Sequence, residues 1–495
     1  MTNKVTKHLH KKNILILLCI LAVSFLGSYL IYQSNAATSD SLANLWVDNN
    51  SSLTHSCIRQ SITEDYASAS SFANHRSCNS LNDAYAQASP GDLILVKGGT
   101  YGDQIINDVP SKDGAAWNGT SGIKPITIRS ASGETVTAND LTTHASNLIL
   151  DGINTTISDA AGVGEPTILG PLHDVTLQNL KGRAFYITGA AYNITIKNVE
   201  IGPRVAGSGS QIKTATNGGD DPDPAQQPHD ILIDGLYMHD YTTDNPGTGH
   251  MDCLHVFYHY NLIVKNSKFL RCGLPNAGYG ILLGSNGPGR IEHDVFENNV
   301  FDGAIAGFAL RGGTGEDFND VQVRYNSGSL ITTQTTNTLN NVNWIANAAS
   351  DIAPCRANSY SYNVSTSTAC GSTDLKANPG FKNSAAGDYT LLTSSPAVGH
   401  GNPADFPQKD FLGIARPQGS GPDAGAYEYQ SGGTTPPTCS TKQGDATGDN
   451  AVNILDISKI LSLYGQTNTT DCADANKDGS INILDISLVL SKYGS

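Results

Sequence analysis

Histidines, aspartates and basic residues concentrate in one stretch of this chain, between residues 237 and 271. An imidazole can act as a base, here His239, His250 or His255. A lysine or arginine can neutralise a carboxylate on a substrate, and the candidates are Lys265, Lys268, Arg271, Arg290 and Arg311. Elimination at a uronic acid needs both functions and an acid that assists the leaving oxygen. The stretch therefore predicts proton-transfer chemistry on an acidic substrate. The candidate catalytic residues are His239, Asp240, His250, Asp252, His255, Lys268 and Arg271.

The aspartates of this stretch leave other chemistries open. They could hold a calcium ion, or act as the paired carboxylates of a hydrolase. Histidines and aspartates beside Asn-rich turns also satisfy backbone groups without any catalytic role, so a non-catalytic surface is a further alternative. Two more motifs are interpreted as structural: Gly399-His400-Gly401 as a turn, and Asp220-Asp221 as part of a solvated loop.

A second set of oxygen-bearing residues occurs in two copies, 29 residues apart, at the end of the chain. Side-chain oxygens at loop positions 1, 3, 5, 9 and 12, with a backbone carbonyl at position 7, are the ligands that calcium requires. Each loop leads into an apolar, helix-like segment. We therefore expect two calcium ions. The ligand positions are Asp445, Thr447, Asp449, Ala451, Asn453 and Asp456 in the first loop, and Asp474, Asn476, Asp478, Ser480, Asn482 and Asp485 in the second.

The first set must be positioned by a repeated seven-residue phrase that begins with Asn or Asp. In each copy the second and fourth residues are apolar, so alternation places them on one face of a strand. Stacked copies would bury a core that no single copy could bury alone. Asn or Gly at the sixth position suits a bend with positive φ. The copies begin at Asn147, Asp174, Asn193, Asp230 and Asn261, with weaker ones near Asp294, Asp320 and Asn341.

The same phase predicts two outward rows on successive turns. Position five would stack Lys197, Asp234 and Lys265. The residue directly after each copy, called position eight, would stack Glu200, Tyr237 and Lys268.

Residues 45–430 resemble the right-handed parallel β-helix proteins of the pectate-lyase-like superfamily. The resemblance rests on residues 88–101 (ASPGDLILVKGGTY), preceded by a helix over 81–88, and on the closing phrases at 395–398 (SPAV) and 421–429 (GPDAGAYEY). It implies a mainly β solenoid over 45–350, a closing segment over 351–430 and a polysaccharide substrate. A β-sandwich with similar strands is the alternative fold.

Residues 442–495 resemble a type I dockerin, a small all-α calcium-binding module, joined by a linker at 431–441. The first loop departs from the family pattern at Thr447 and at Asn450. The resemblance implies a cohesin module on a scaffold or cell-surface protein as partner. The recognition positions would be Ile454/Leu455 and Ile483/Leu484. A module that only stabilises the chain is the alternative.

The N-terminus and the cysteines predict export. Lysines precede an apolar run from Ile14 to Tyr32, so residues 1–36 form either a cleaved signal peptide or a membrane anchor. Eight cysteines follow, and we expect disulfides between sequential neighbours. The pairs would be Cys57/Cys78, Cys253/Cys272, Cys355/Cys370 and Cys439/Cys472.

A formal charge of −15 argues against a nucleic-acid partner. The sequence thus predicts an exported carbohydrate-active protein that binds and cleaves a polysaccharide, with a lyase favoured. It would act in the extracellular space, free or anchored to the outer face of the membrane. A glycoside hydrolase and a non-catalytic glycan-binding adhesin are the alternatives.

Overall fold

The computed structural model describes residues 42–50, 52–70, 75–156, 165–205, 209–213, 223–242, 251–274, 278–284, 289–313, 315–430, 442–447, 452, 456–457, 459–460, 472–477 and 481–492. The side chains of residues 224, 289 and 290 are outside this description. Residues 39–431 form one compact unit, and residues 432–495 belong to a second. Among the described residues, no helix has the length and apolar character needed to cross a bilayer.

Short strands dominate the first unit and are numbered along the chain. The strands before residue 190 are β1 (Leu45–Val47), β2 (Leu93–Val96), β3 (Gly99–Tyr101), β4 (Gln104–Ile106), β5 (Ile126–Ser130), β6 (Val136–Ala138), β7 (Leu141–Thr143), β8 (Leu148–Asp151), β9 (Ile153–Thr155), β10 (Thr167–Leu169), β11 (Leu172–Gln178), β12 (Lys181–Gly182) and β13 (Tyr186–Thr188). Those from 191 to 310 are β14 (Ala191–Lys197), β15 (Glu200–Ile201), β16 (Arg204–Val205), β17 (Ser210–Lys213), β18 (His229–Asp234), β19 (Tyr237–Thr242), β20 (Leu254–Val256), β21 (His259–Lys265), β22 (Lys268–Leu274), β23 (Tyr279–Leu283), β24 (Gly289–Glu297), β25 (Val300–Gly303) and β26 (Ala306–Leu310). The last are β27 (Glu316–Arg324), β28 (Ser327–Thr333), β29 (Leu339–Ile345), β30 (Ala348–Asp351), β31 (Ser359–Ser361), β32 (Val364–Ser365), β33 (Leu375–Lys376), β34 (Phe381–Asn383) and β35 (Asp388–Leu391).

These strands stack in parallel sheets along a solenoid. Sheet 1 has the order β1-β2-β5-β8-β11-β14-β18-β21-β24-β27-β29-β31. Sheet 2 runs through β12, β15, β19, β22, β25, β28, β30, β32 and β33, and sheet 3 through β4, β7, β10, β13, β17, β20, β23, β26 and β28. Strands β3, β6 and β9 form a separate parallel sheet. Of the named strands, only β34 and β35 pair antiparallel, which confirms a parallel β-helix and rules out the β-sandwich.

The predicted inward rows form the core. Val175 pairs in register with Leu148, and Leu177 with Leu150. Every member of these rows is buried. The sixth position has positive φ in all five full copies of the phrase, as predicted: Gly152, Asn179, Asn198, Gly235 and Asn266.

The first position of the phrase also has positive φ, at 53° in Asn147 and 56° in Asp174, which the pattern did not predict. One weak copy is shifted by a residue. His293 takes the first position, with φ 62°, so Asp294 falls on a buried inward position.

The inward residue of the turn between sheets 1 and 2 differs between the earlier and the later coils of the solenoid. In the later coils the inward residue of this turn is Asn299, Asn326, Asn347 or Asn363, all fully buried. Each amide nitrogen donates to a backbone carbonyl, for example from Asn326 to Phe296 at 2.9 Å. The amide oxygens of Asn326, Asn347 and Asn363 each accept the backbone N–H of the preceding asparagine, 2.9 Å from Asn299 to Asn326, and that of Asn299 accepts the Ser267 N–H. This asparagine ladder satisfies backbone groups that would otherwise be buried without partners.

Two terminal elements close the solenoid. Helix α1 (Tyr66–Ser70) precedes α2 (Leu81–Gln87), the predicted capping helix. The hydroxyl of Ser80 accepts the N–H of Asp83 at 3.1 Å, which begins α2. At the other end, the segment 381–429 folds back onto sheet 2, where its Tyr389 and Tyr427 pack with Leu270 and Val300.

The second unit contains helix α3 (Ile483–Ser491), which begins at an Asn482–Asp485 capping box. Its described core comprises Ala446, Val452, Ile460, Ala473, Ile481 and Val489.

The predicted disulfides Cys57–Cys78, Cys253–Cys272 and Cys355–Cys370 are present. Cys472 is also disulfide-bonded, while its predicted partner Cys439 lies outside the described residues.

Candidate functional site

The outer face of sheet 2 carries the densest group of predicted site residues. Glu200, Tyr237 and Lys268 are register neighbours on β15, β19 and β22, which confirms the predicted position-eight row. Next to this row, Asp240 and Arg271 occupy bends with φ of 57° and 53°. We call Glu200, Tyr237, His239, Asp240, Lys268 and Arg271 the sheet 2 cluster.

Hydrogen bonds link most of the sheet 2 cluster. His239 Nδ1 lies 2.7 Å from Asp240 Oδ2, and His239 Nε2 lies 3.7 Å from Glu200 Oε1. The Arg271 guanidinium donates to both oxygens of Asp240, with Nη2–Oδ2 at 2.8 Å. The ring of Tyr237 stacks on His239 with centroids 4.4 Å apart. The imidazole is therefore held by the Asp240 carboxylate and by the Tyr237 ring, with the Glu200 carboxylate nearby.

These contacts and the burial of the side chains shift the pKa values of the sheet 2 cluster. The Arg271 hydrogen bond lowers the pKa of Asp240 to about 2, and the nearby His239 imidazole lowers that of Glu200. Burial alone would lower the pKa of His239, but the two carboxylates outweigh it, and the net shift is upward. Burial lowers the pKa of Lys268, because the uncharged amine costs less to desolvate than the ammonium. Burial therefore favours the neutral Lys268 amine, which is the form that accepts a proton.

The closing segment borders the sheet 2 cluster. Tyr389 hydrogen-bonds Asp302. Asp302 lies on β25, two residues after Val300, which is the neighbour of Lys268 in the strand register. Asp388, also from this segment, acts on the charge of Lys268. Sequence reasoning missed this border, since these residues lie more than a hundred positions from β22 and nothing local links them to it.

Asp252 and His255 do not join the sheet 2 cluster but lie at sheet 3. Asp252 is 2% exposed, and burial raises its pKa to about 7. One of its oxygens accepts the Tyr279 N–H at 3.0 Å. His255 Nε2 lies 3.0 Å from the Gly284 carbonyl, and His255 Nδ1 lies 3.6 Å from Asp252. These contacts hold both side chains at sheet 3, and Asp252 is almost fully buried there. His250 lies outside the described residues.

Lys265 and Arg311, the other described candidates for neutralising a carboxylate, have local partners, and the side chain of Arg290 lies outside the described residues. Lys265 lies 3.5 Å from Asp234, its neighbour in the predicted position-five row. Arg311 donates to the Tyr279 hydroxyl at 3.4 Å.

The described parts of the calcium loops fit a hard cation. In the first loop, Thr447 Oγ1 lies 2.9 Å from Asp456 Oδ1 and 3.3 Å from Asp445 Oδ1, so positions 1, 3 and 12 converge. In the second, Asn476 N–H donates to Asp485 at 3.0 Å. Asp445, Asp456, Asp474 and Asp485 are all buried. Buried carboxylates and neutral oxygens are the donors that calcium selects.

Other predicted calcium ligands fall outside the description: Asp449, Ala451, Asn453, Asp478 and Ser480. Among the described residues, no group of three His, Cys, Asp or Glu side chains could hold a metal ion. The further calcium site considered for the β-helix therefore gains no support.

Comparison with known proteins addresses the two units separately. Residues 443–492 match the model of the Dockerin type I domain, which confirms the resemblance of the C-terminal module. No curated protein matches the chain.

Among solved structures, the chain is similar to the pectate lyase Pel9A, with 14% identity over 79% of this chain and 98% of that one, and a TM-score of 0.49. It is also similar to the PL6 family alginate lyase AlyGC, with 12% identity over 57% of this chain and 49% of that one, and a TM-score of 0.27. The chain thus spans about half the length of that alginate lyase. The fold assignment rests on the sheets described above, and activity does not carry over at these identities. The chain combines a parallel β-helix with a C-terminal dockerin type I domain.

Proposed function

We propose that this chain is an extracellular polysaccharide lyase whose active site is the sheet 2 cluster. The observation that carries the proposal is a half-buried Lys268, with a lowered pKa, in register beside Tyr237 and close to Arg271. A base, an acid and a cation are the three groups that β-elimination at a uronate needs. All three lie on the solvent-facing side of one sheet.

Each group has a specific role in this reaction. The Arg271 guanidinium neutralises the uronate carboxylate and acidifies the proton on the adjacent carbon. The neutral Lys268 amine takes that proton as the carbon–oxygen bond to the next sugar breaks and a carbon–carbon double bond forms. The raised pKa of Tyr237 keeps its hydroxyl protonated, and Tyr237 donates this hydroxyl proton to the leaving oxygen. His239 positions Asp240, which in turn orients Arg271.

The two alternative activities differ in support. A hydrolase needs one carboxyl that stays protonated. The pKa values of Asp240 and Glu200 are lowered, whereas burial raises the pKa of Asp302, which makes Asp302 the candidate acid beside Arg271. Asp252 cannot supply this carboxyl, because it lies at sheet 3. A non-catalytic glycan-binding surface is favoured by one observation: Arg271 is already paired with Asp240, whose negative charge offsets the attraction of the guanidinium for a substrate carboxylate.

The C-terminal module would attach the protein through calcium-dependent binding of a cohesin. The convergence of Asp445, Thr447 and Asp456 supports calcium binding, and the exposed Ile483 and Leu484 on α3 support the predicted recognition surface. The disulfides support an oxidising, extracellular compartment. Residues 1–36 would be the export signal or membrane anchor. The β-helix would span 45–350, its closing segment 351–430, the linker 431–441 and the dockerin-like module 442–495.

A substrate panel tests the activity. The protein is incubated with pectin, alginate, glycosaminoglycans and neutral plant glycans, and both ultraviolet absorbance and new reducing ends are recorded. Absorbance that rises with reducing ends, and is lost in Lys268→Ala but not in the exposed-lysine control Lys376→Ala, supports the lyase. Reducing ends without absorbance would indicate a hydrolase. Binding without either signal would indicate an adhesin.

A further inference from the structure

A groove of about 380 Å³ lies on the outer face of sheet 1, on a different sheet from the cluster proposed for elimination. Its floor consists of outward residues from four successive coils, on β8, β11, β14 and β18. They are neighbours in the strand register: Ile149, Thr176, Thr195 and Leu232. The loop before β5 forms one wall, with the Trp117 ring, Ile123 and Pro125.

The polar lining of this groove repeats with the coils. The first positions of the phrase contribute Asp174, Asn193 and Asp230. Asn193 donates to Asp174 at 3.3 Å, while His173 and His229 hold the two carboxylates at 2.6 and 2.7 Å. The carboxylates remain partly exposed, and each oxygen keeps a further lone pair for a ligand donor. The result is a row of fixed acceptors spaced one coil, about 4.8 Å, apart.

The charge of the groove selects among ligands. No lysine or arginine is among its lining residues, and the nearby Lys124 ammonium stacks over the Trp117 ring at 4.8 Å. Carboxylates repel a uronate chain, whereas they accept hydrogen bonds from sugar hydroxyls. An exposed indole edge beside threonine hydroxyls suits the mixed apolar and polar surface of a sugar ring. We infer that the groove binds a neutral, hydroxyl-rich polysaccharide chain.

This site goes beyond the proposed lyase and does not depend on it. The two ligands differ in charge and the two surfaces lie on different sheets. A protein with both sites could hold a neutral polymer on sheet 1 while it acts on an acidic one at sheet 2.

The tryptophans provide a built-in reporter. Trp117 is 38% exposed, whereas Trp46 and Trp344 are 5% and 0% exposed. Acrylamide therefore quenches mainly Trp117 fluorescence in the full chain. We would titrate the protein with cellohexaose, xylohexaose, mannohexaose and hexagalacturonate, and follow quenching together with isothermal titration calorimetry.

The variants are matched by position. Thr195→Arg places a long cationic side chain on the floor of the groove, and Gln322→Arg places the same side chain on β27, in the same outward row outside the groove. Trp117→Ala removes the wall and is followed by calorimetry alone. Circular dichroism confirms that each variant is folded.

We expect at least one neutral hexasaccharide to protect Trp117 from acrylamide. Thr195→Arg and Trp117→Ala should weaken its binding at least about tenfold, and Gln322→Arg should leave it unchanged. Lys268→Ala should also leave it unchanged, which separates this site from the proposed lyase. Absence of protection by every neutral oligosaccharide would overturn the inference. So would hexagalacturonate binding that protects Trp117 in the unaltered chain.

Discussion

The asparagine ladder and the sheet 2 cluster are both rows of polar side chains that stack coil upon coil, yet they differ in burial and in hydrogen bonding. In the ladder, Asn326 is fully buried, and its amide exchanges hydrogen bonds with Asn299, Asn347 and Phe296. In the cluster, Lys268 and Arg271 remain partly accessible to solvent. Polar residues on repeated turns can therefore either support the fold or form a surface site, and their burial and hydrogen bonding distinguish the two cases.

The difference separates stability from activity. A buried amide that loses its partner costs free energy of folding, whereas a charged group at the surface costs little when removed. Changes in the ladder should therefore unfold the solenoid without a specific effect on chemistry. Changes in the cluster should do the reverse.

The largest expected effect is on catalysis. Lys268→Ala removes the proposed base, and general base catalysis contributes typically about 10²–10⁴-fold. We expect kcat to fall by about 10³-fold, with the unfolding midpoint changed little. Initial rates from ultraviolet absorbance and a urea titration measure the two quantities. An equal loss of rate in Lys376→Ala would contradict the assignment.

A change in the asparagine ladder should lower stability, whereas the change at Lys268 should lower the rate. Asn326→Ala leaves the Asn299 N–H and the Phe296 carbonyl without their amide partner in the core. Each unsatisfied buried group costs about 1–3 kcal/mol, so we expect the free energy of unfolding to fall by about 3 kcal/mol. The exposed Asn340, which donates to Asn319 at 2.7 Å, provides the control, and Asn340→Ala should cost well below that. A small effect in Asn326→Ala would contradict the structural role of the ladder.

Removal of a calcium ligand should have an intermediate effect. Asp485 is buried at position 12 of the second loop and also caps α3. Asp485→Ala should weaken calcium binding at least about tenfold, while Asp485→Glu keeps a carboxylate and should bind more tightly than the alanine variant. Calcium titrations followed by calorimetry and by helical circular dichroism measure both. Equal affinity in the two variants would remove Asp485 from the ligand set.

The proposed base also predicts the pH dependence. Burial disfavours the Lys268 ammonium, so its pKa is lowered and the neutral amine forms at lower pH than for an exposed lysine. The rate should rise about tenfold per pH unit below that pKa and level off above it. Lys268→Arg cannot lose its proton, so its residual rate should lack this rise. The same rise in both proteins would assign the base to another group.

Sequence reasoning found the solenoid because each copy of the phrase is local. Leu148 and Leu150 alternate within one strand, and their partners on β11 repeat the alternation. Sequence reasoning failed for residues whose position depends on how the chain passes from one strand to the next. Asp240 and Asp252 are twelve residues apart, yet Asp240 lies on β19 of sheet 2 and Asp252 lies two residues before β20 of sheet 3. Tyr389 and Asp388 reach β22 only through the folded closing segment, so no local pattern could place them there.

The smallest expected effect comes from a third kind of row, the alternating charges on sheet 1. Lys265 lies 3.5 Å from Asp234, and both side chains are about one-third exposed. Exposed ion pairs contribute about 0–1 kcal/mol, so Lys265→Ala should change the free energy of unfolding by less than about 1 kcal/mol. A double-mutant cycle with Asp234→Ala isolates the pair, and its coupling should shrink in high salt. A salt-independent coupling above about 2 kcal/mol would mean that this outer row supports the fold as the buried ladder does. A small coupling means that outer rows can change to suit a ligand while the inner rows keep the solenoid folded.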